Sequence, residues 1–479
     1  MKNAIPCLAI LTALTACTEV RIIPHDHESD VGGAGGEASN ATGGGATGGG
    51  GADSCAPSWT RILGGTGANW LRSQAVGSDG SVAVTIDSTS DLSLDGESLG
   101  FDDGGLVVVK LDKDGALAWA RHFGRTSQQP LMPVGIGPTG NVVVGGIGYQ
   151  TVTIGDLTAE HEGAFGYVVS FSPEGTPQWI QSWGVPTESG GLVNLALDPA
   201  GNVYFQGSLG YDQDVLEWDG LSTTGETFVG KILASGEAAW VRGYRGFASE
   251  RRGLATTPTG HLVIGQTLQL TADFGDPPLS TNGDYDSLVM DLDPDGVLVD
   301  AKQFGDDGLQ RSVGFSIGKD GSRALMGITW GAIDFGNGPV AGQGADDLFL
   351  ASFDASGASR WTKVAPNKYA SVVFSSTDSG GLTLVVSSAV AASFGCPAEA
   401  DSTFMRVELD ATGTCTRSEV IAFAGEAPYS EMDFAGVEGN PERTVVSGYF
   451  AGDYNLYGEL YTADIWDSFV AVRNQCETN

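Results

Sequence analysis

An all-β fold made of seven repeats of a four-stranded antiparallel unit is predicted by three observations. First, a glycine precedes the second strand of every unit, at Gly80, Gly140, Gly201, Gly260, Gly321, Gly380 and Gly439, with intervals of 59 to 61 residues. Second, a glycine marks a later turn at Gly115, Gly175, Gly236, Gly296, Gly357 and Gly413. Third, an aromatic or aliphatic residue followed by Gly recurs at Ile154, Phe274, Phe335, Phe394 and Tyr457. Fixed periods of this length belong to solenoids, propellers or arrays. A helical solenoid needs helix-period segments, and the sequence has none. Four antiparallel strands per unit make the blade of a β-propeller.

The strands follow in order within each unit. In the third unit they are expected at 193–197, 203–207, 228–233 and 238–244, joined by turns at Gly201 and Gly236. Apolar alternation and β-branched residues carry the strands; Gly and Asp carry the turns. The fourth strand bears a Trp at Trp119, Trp179, Trp240 and Trp361, and the same pattern occurs at Trp59, in a strand over 56–63 with no unit before it. At the other end, 467–472 reads as a third strand with no fourth after it. The expected solution is a seven-bladed β-propeller over residues 55–479. Its last blade takes three strands from the C-terminus and one from the N-terminus, so the ring has no exposed sheet edge at the seam.

Composition narrows the partners. The chain has 479 residues, 72 of them Gly, and a formal charge of −35 from 24 basic and 59 acidic side chains. A polyanion is repelled by nucleic acid and by anionic lipid surfaces, so no nucleic-acid partner is expected. Asp112-Lys-Asp114-Gly115 and Asp293-Pro-Asp295-Gly296 are read as turn chemistry. A calcium loop needs more oxygen ligands in register than they supply, so no metal and no cofactor is expected.

The N-terminus has its own logic. Lys2 precedes an apolar run from Ala4 to Leu14, too short to span a bilayer, which ends in Leu14-Thr15-Ala16-Cys17. This looks like the lipobox of bacterial lipoprotein signal peptides. The resemblance implies a signal peptide over 1–16, cleavage before Cys17, and acyl chains including palmitate on that cysteine. Several acyl chains give stable anchoring. Thr18 stands where enterobacterial lipoproteins held at the inner membrane carry Asp, which points to the outer membrane, on its periplasmic or cell-surface side. Residues 17–54 read as the lipidated Cys and a disordered Gly-rich tether, whose 37 residues beyond Cys17 reach about 35 Å. His25 and His27 in that tether are taken as incidental.

The Gly-rich, Asp-Gly-turned, Trp-marked repeat resembles the bacterial seven-bladed β-propeller repeat family of secreted and surface proteins. Asp273-Phe-Gly275, Asp284-Tyr-Asp-Ser-Leu-Val289 and Leu292-Asp-Pro-Asp-Gly296 carry the likeness best. Unit four departs from it, with Asp300 where Trp is expected. Unit six also departs, with no Trp, a longer fourth strand and a shorter connection. The resemblance implies a fold and an exposed location, and no reaction.

Six cysteines are present. Cys7 leaves with the leader and Cys17 takes lipid, so four remain, consistent with an oxidising compartment. Aligning the repeats brings Cys55 and Cys476 to one turn, where a disulfide would lock the seam with about 5 kcal/mol at most. Cys396 and Cys415 flank the third strand of unit six and pair by elimination. A zinc site is the rival reading, but no His lies near these Cys and no Cys-x-x-Cys spacing occurs.

Catalytic signatures are absent. There is no Gly-x-Ser-x-Gly, His-Glu-x-x-His or P-loop, and His122, His161 and His261 fall in three different units. The repeated Trp are read as packing between blades, not as a sugar platform. The long connections between second and third strands present Tyr149, Tyr211, Trp218, Trp330, Tyr449 and Tyr454 as a candidate face for protein or glycan contact. The rival reading folds each connection into a hairpin over its own blade. First strands offer mainly small residues to the central channel, such as Ala75, Gly135, Ala196, Ala255 and Gly314. The expectation is a monomeric, surface-anchored scaffold without enzymatic activity, tied to the membrane by its lipid and binding a protein or glycan. The alternatives are a carbohydrate-active lyase or hydrolase at the channel mouth and a purely structural envelope lipoprotein.

Overall fold

The middle strands of the sheets are buried on both faces. Gly105–Leu111, Thr227–Ile232, Leu262–Leu268, Asp286–Leu292 and Asp347–Phe353 are buried at every residue. A strand buried on both faces needs cover above and below, so each sheet is sandwiched between neighbours. The computed structural model describes residues 58–123, 132–184, 191–209, 215–247, 253–272, 278–366 apart from 343 and 345, 372–398, 404–424, 431–440 and 443–474.

The fold is all-β, made of small antiparallel sheets, and is consistent with a propeller. Five sheets have four strands each. The first pairs Asn69–Val76, Val82–Ser88, Gly105–Leu111 and Leu117–His122 in that order. The third pairs Gly191–Leu197, Val203–Ser208, Thr227–Ile232 and Ala238–Tyr244, close to the strands expected. A ten-stranded sheet collects the strands of units six and seven and both ends of the described chain. In it Trp59–Gly64 pairs antiparallel with Glu459–Asn474, Trp59 opposite Val472 and Leu63 opposite Ser468. One six-residue helix, Ser388–Ser393, occurs among the described residues; its Ser387 N-cap accepts from the Val390 N–H.

Neighbouring sheets are joined by a repeated contact. Trp59, Trp119, Trp179, Trp240 and Trp361 each donate an indole N–H to a carbonyl in the turn of the following unit, namely Lys113, Pro173, Ala234, Pro294 and Ala411, at 2.9 to 3.3 Å. The ring lies flat on that turn's glycine. At Gly115, Gly175, Gly236, Gly296 and Gly413 a Cβ would stand 2.6 to 2.9 Å from the indole, and each glycine has a positive φ. Gly and Trp therefore recur with the same period because they are two halves of one contact.

The connections between second and third strands form small elements that also cross between units. The hairpin Val215–Trp218 and Leu221–Thr224 sends the Trp218 indole N–H to Gln181 Oε1 at 2.9 Å, on the preceding sheet. Phe335, next to the hairpin Ala332–Ile333 and Val340–Ala341, packs on Phe304 of the preceding sheet at 4.8 Å. Elsewhere the crossing is made by backbone. Leu92–Leu94 pairs with Trp59–Gly64, and Arg443–Leu456 pairs with the end of Cys415–Ala424. Unit six lacks the Trp, and the longer fourth strand found there reaches this neighbour directly. These four connections thus brace the preceding sheet, where the rival reading of the sequence had each cover its own.

Two register readings are corrected. Gly439 is not a turn glycine: it sits in Glu431–Asn440 opposite Thr444, and the chain reverses only between Asn440 and Arg443. The last turn is displaced toward the C-terminus, which a glycine count cannot see. In unit five the partner of Ala75 is Ser316, opposite Ala324, and not Gly314, which lies two residues earlier on the same strand, opposite Met326.

Candidate functional site

The first strands surround a cavity of about 610 Å³. Seven first-strand segments line it, 72–76, 132–136, 194–197, 253–255, 313–317, 372–375 and 436–438, together with Met326. The expected small residues Ala75, Gly135, Ala196, Ala255 and Gly314 are all on its wall.

One register position runs around the wall. By strand pairing it holds Ala75, Gly135, Ala196, Ala255, Ser316, Ser375 and Glu438. Glu438 is its one ionisable member. Its Oε2 accepts the Val76 N–H at 3.1 Å, bridging the last first-strand to the first one. Ser316 makes the matching contact between units five and six, its Oγ accepting from the Ser376 N–H at 2.8 Å. Burial pushes the Glu438 carboxyl up to about 7, against the pull of the Val76 N–H and Lys319. Beside it, Gln74 has neither side-chain oxygen nor nitrogen paired within the protein, and both atoms are shielded. The sequence reading missed Glu438 because the late final turn put it out of phase with the other six.

The candidate face of aromatics divides. Tyr149 is 50% exposed and Trp330 45% exposed, with the Trp330 indole N–H donating to Asp346 Oδ1 at 2.6 Å. Trp218, Tyr449 and Tyr454 are corrected: they are 3%, 6% and 3% exposed. Trp218 packs edge-on against Phe205 at 5.2 Å, Tyr449 against Trp466 at 5.4 Å, and Tyr454 against Phe450 at 6.4 Å. These rings fill the hairpins that brace neighbouring sheets. Tyr211 lies outside the described residues.

Cys396 and Cys415 form a disulfide, with Cα atoms 5.4 Å apart. Cys17, Cys55 and Cys476, the leader and the tether lie outside the described residues. The three remaining His stand apart: His122 at the Gly104 carbonyl, His161 at Ser182 Oγ, and His261 at Asp291. In the Asp-Gly turns, Asp112 accepts the N–H groups of Asp114 and Ala116, and Asp293 those of Asp295 and Val297. Among the described residues no cluster of His, Cys, Asp or Glu could hold a metal ion, and no helix is long and apolar enough to cross a membrane.

No family model and no curated protein matches the chain. Solved structures do. A protein of unknown function from Dyadobacter fermentans is 12% identical, with 88% of this chain and 99% of that one covered and a TM-score of 0.39. The WD40 domain of Neurospora crassa Pan2 is 10% identical, covering 85% and 89%, with a TM-score of 0.40. The α-L-arabinofuranosidase Arb93A from Fusarium graminearum is 9% identical, covering 85% and 94%, with a TM-score of 0.34. The expectation of a chain without enzymatic activity is withdrawn on this finding: an enzyme is among the chains matched, so a propeller-like fold gives no ground for that exclusion. At these identities the likeness concerns the fold alone, and what the chain is similar to is a propeller-type sheet arrangement.

Proposed function

We propose that the chain is a lipid-anchored, seven-bladed β-propeller that serves as a binding scaffold for a protein or glycan at the cell envelope. Three facts support the seven-bladed, closed architecture. Seven first-strand segments surround one cavity. Trp59–Gly64 fills the fourth-strand place beside Glu459–Asn474. The Trp59 indole meets Lys113 in the next unit, 54 residues on, the same separation as Trp119 to Pro173 and Trp240 to Pro294. The leader and Cys17 support lipid attachment at the outer membrane, with residues 17–54 as the tether and the propeller as a monomer at its end.

The observation that carries the binding role is the exposure of Tyr149 and Trp330 at the outer ends of second strands, where the neighbouring aromatics turn inward. Trp330 is held in place by Asp346, so its ring is presented at low ordering cost. Aromatic rings with adjacent carboxylates suit saccharide and protein surfaces alike. The test is a glycan array and an envelope-protein array probed with residues 55–479, repeated with Trp330→Ala and Tyr149→Ala. The expected outcome is a ligand whose signal falls at least about tenfold in Trp330→Ala, the loss of an interface aromatic anchor. Binding that neither substitution changes would move the site off this face.

A further inference from the structure

The central cavity carries a separate inference, independent of the loop face. We propose that it is a binding site for a small organic cation, a protonated amine that also bears a hydrogen-bonding group, seated between the Glu438 carboxylate and the Gln74 amide.

Size and lining come first. About 610 Å³ is within the range of small-molecule sites, which are largely apolar with a few placed polar groups. The wall here is more polar than that: between Ala, Gly, Val, Leu and Phe it exposes backbone and the side chains of Arg72, Gln74, Asn194, Ser316, Ser375 and Glu438, which suits a ligand that is itself small and polar. Gln74 is the second observation. An amide withdrawn from water without a partner costs free energy, and this one is paired to nothing in the protein. Its position depends on Gly436, where a Cβ would lie 2.7 Å from Gln74 Cγ. The chain gives up a side chain at 436 and holds there an unsatisfied amide whose polar atoms are shielded, so a ligand group pairs with them once the side chain turns toward the open space.

Charge selects the ligand. Arg72 also lines the cavity, but it pairs with Asp87 at 2.9 Å. Lys319 attracts Glu438 from outside the cavity lining and is itself paired with Asp378 at 2.9 Å. No described cation within the cavity neutralises Glu438, so an ammonium group satisfies it where an anion would be repelled. The overall charge of −35 concentrates cations around the molecule in the same sense. The raised affinity of Glu438 for its proton adds a signature. An amine binds the ionised carboxylate, so at pH 6 binding expels a proton and at pH 8 it does not. With the carboxyl near 7, the ionised fraction rises roughly tenfold between these values, and affinity rises with it.

The experiment is calorimetric titration of the full chain with ethanolamine, putrescine and lysine at pH 6 and pH 8, with acetate and succinate as anionic controls. At least one amine is expected to bind, about tenfold more tightly at pH 8. Glu438→Gln is expected to abolish the pH dependence and weaken binding at pH 8 at least tenfold; Gln74→Leu is expected to weaken it severalfold. Thermal melts of both variants check folding, and Gln74→Leu carries the test alone where Glu438→Gln does not fold. Heat from none of the three amines, equal binding of the anions, or affinity untouched by either substitution overturns the proposal. Trp330→Ala is expected to leave amine binding unchanged, so failure here and failure of the loop-face reading are told apart.

Discussion

The contact between units three and four and the contact between units four and five use the same turn in opposite ways. In the first, Trp240 lies on Gly296 and donates its indole N–H to the Pro294 carbonyl at 3.0 Å. In the second, the Trp position is Asp300, opposite Asp291 in the strand pair. Asp300 is half-exposed and stands 3.5 Å from Lys302, which donates to the Gly357 carbonyl at 3.2 Å. A narrow cleft remains there, lined by Asp291, Asp300, Lys302, Arg323 and Gly357. Arg323 and His261 close on Asp291 at 2.8 and 2.9 Å. Polar pairs stand in for one large ring, and such pairs near the surface contribute little beside a buried aromatic. The difference teaches that the repeat tolerates loss of its main inter-sheet contact where charges can still satisfy the turn, and that the two interfaces should differ in strength.

The largest effect should come from breaking the stronger side. Trp240 is buried, and Trp240→Ala removes both the ring on Gly296 and the indole hydrogen bond. The cost should be about 3–5 kcal/mol, the range for large aromatics cut to Ala. Asp300→Ala at the equivalent place should cost less than about 1 kcal/mol, since it removes one partly exposed ion pair. Denaturant midpoints of the two variants check this. Equal losses would mean that the indole contributes no more than the charge that replaces it.

The glycines sharpen the same comparison with a smaller change. Gly296 and Gly357 have the same φ of +77, so Ala at either place carries the same backbone penalty of about 1 kcal/mol. Only at 296 does the new Cβ meet an indole, at 2.8 Å; at 357 its nearest neighbour is the end of a lysine at 3.2 Å. Gly296→Ala should therefore cost at least about 1 kcal/mol more than Gly357→Ala, because the ring must be pushed out of its packed position. Unfolding midpoints measured side by side decide it.

How far the sequence is legible follows from the same residues. Gly and Trp are readable because each pair is one contact repeated at one spacing, so Trp59 and Val472 can be assigned to a shared sheet from 413 positions apart. The disulfide between Cys396 and Cys415 is readable for a related reason, since both lie around one strand. Trp218, Tyr449 and Tyr454 are not readable, because a loop aromatic looks the same whether it faces water or the sheet before it. Trp218 meets Gln181, a partner no local pattern announces. Glu438 is hidden differently. Periodicity exposes residues that obey the phase, and the displaced final turn removes Glu438 from it, although strand pairing puts it level with Ala75. The candidate cavity was thus legible as a wall of small residues, while its one carboxylate was not.

Restoring the missing ring gives the smallest expected effect and tests the comparison from its weak side. Asp300→Trp would set an indole over Gly357, whose φ and open Cα already match those of Gly296. The gain is limited for three reasons. Lys302 now occupies the glycine face and must withdraw, giving up its bond to the Gly357 carbonyl. Arg323 is held on Asp291 and narrows the same space. The cleft as it stands is too thin for a ring without some parting of the two sheets, which takes back part of the burial gained. We expect a net stabilisation of about 1 kcal/mol, the usual yield of filling a natural defect. Lys302→Ala combined with Asp300→Trp should then exceed the single substitution, since it clears the face the indole needs. If the double variant is no more stable than the parent, the glycine at 357 serves its turn alone, and the fourth interface was never built for a tryptophan.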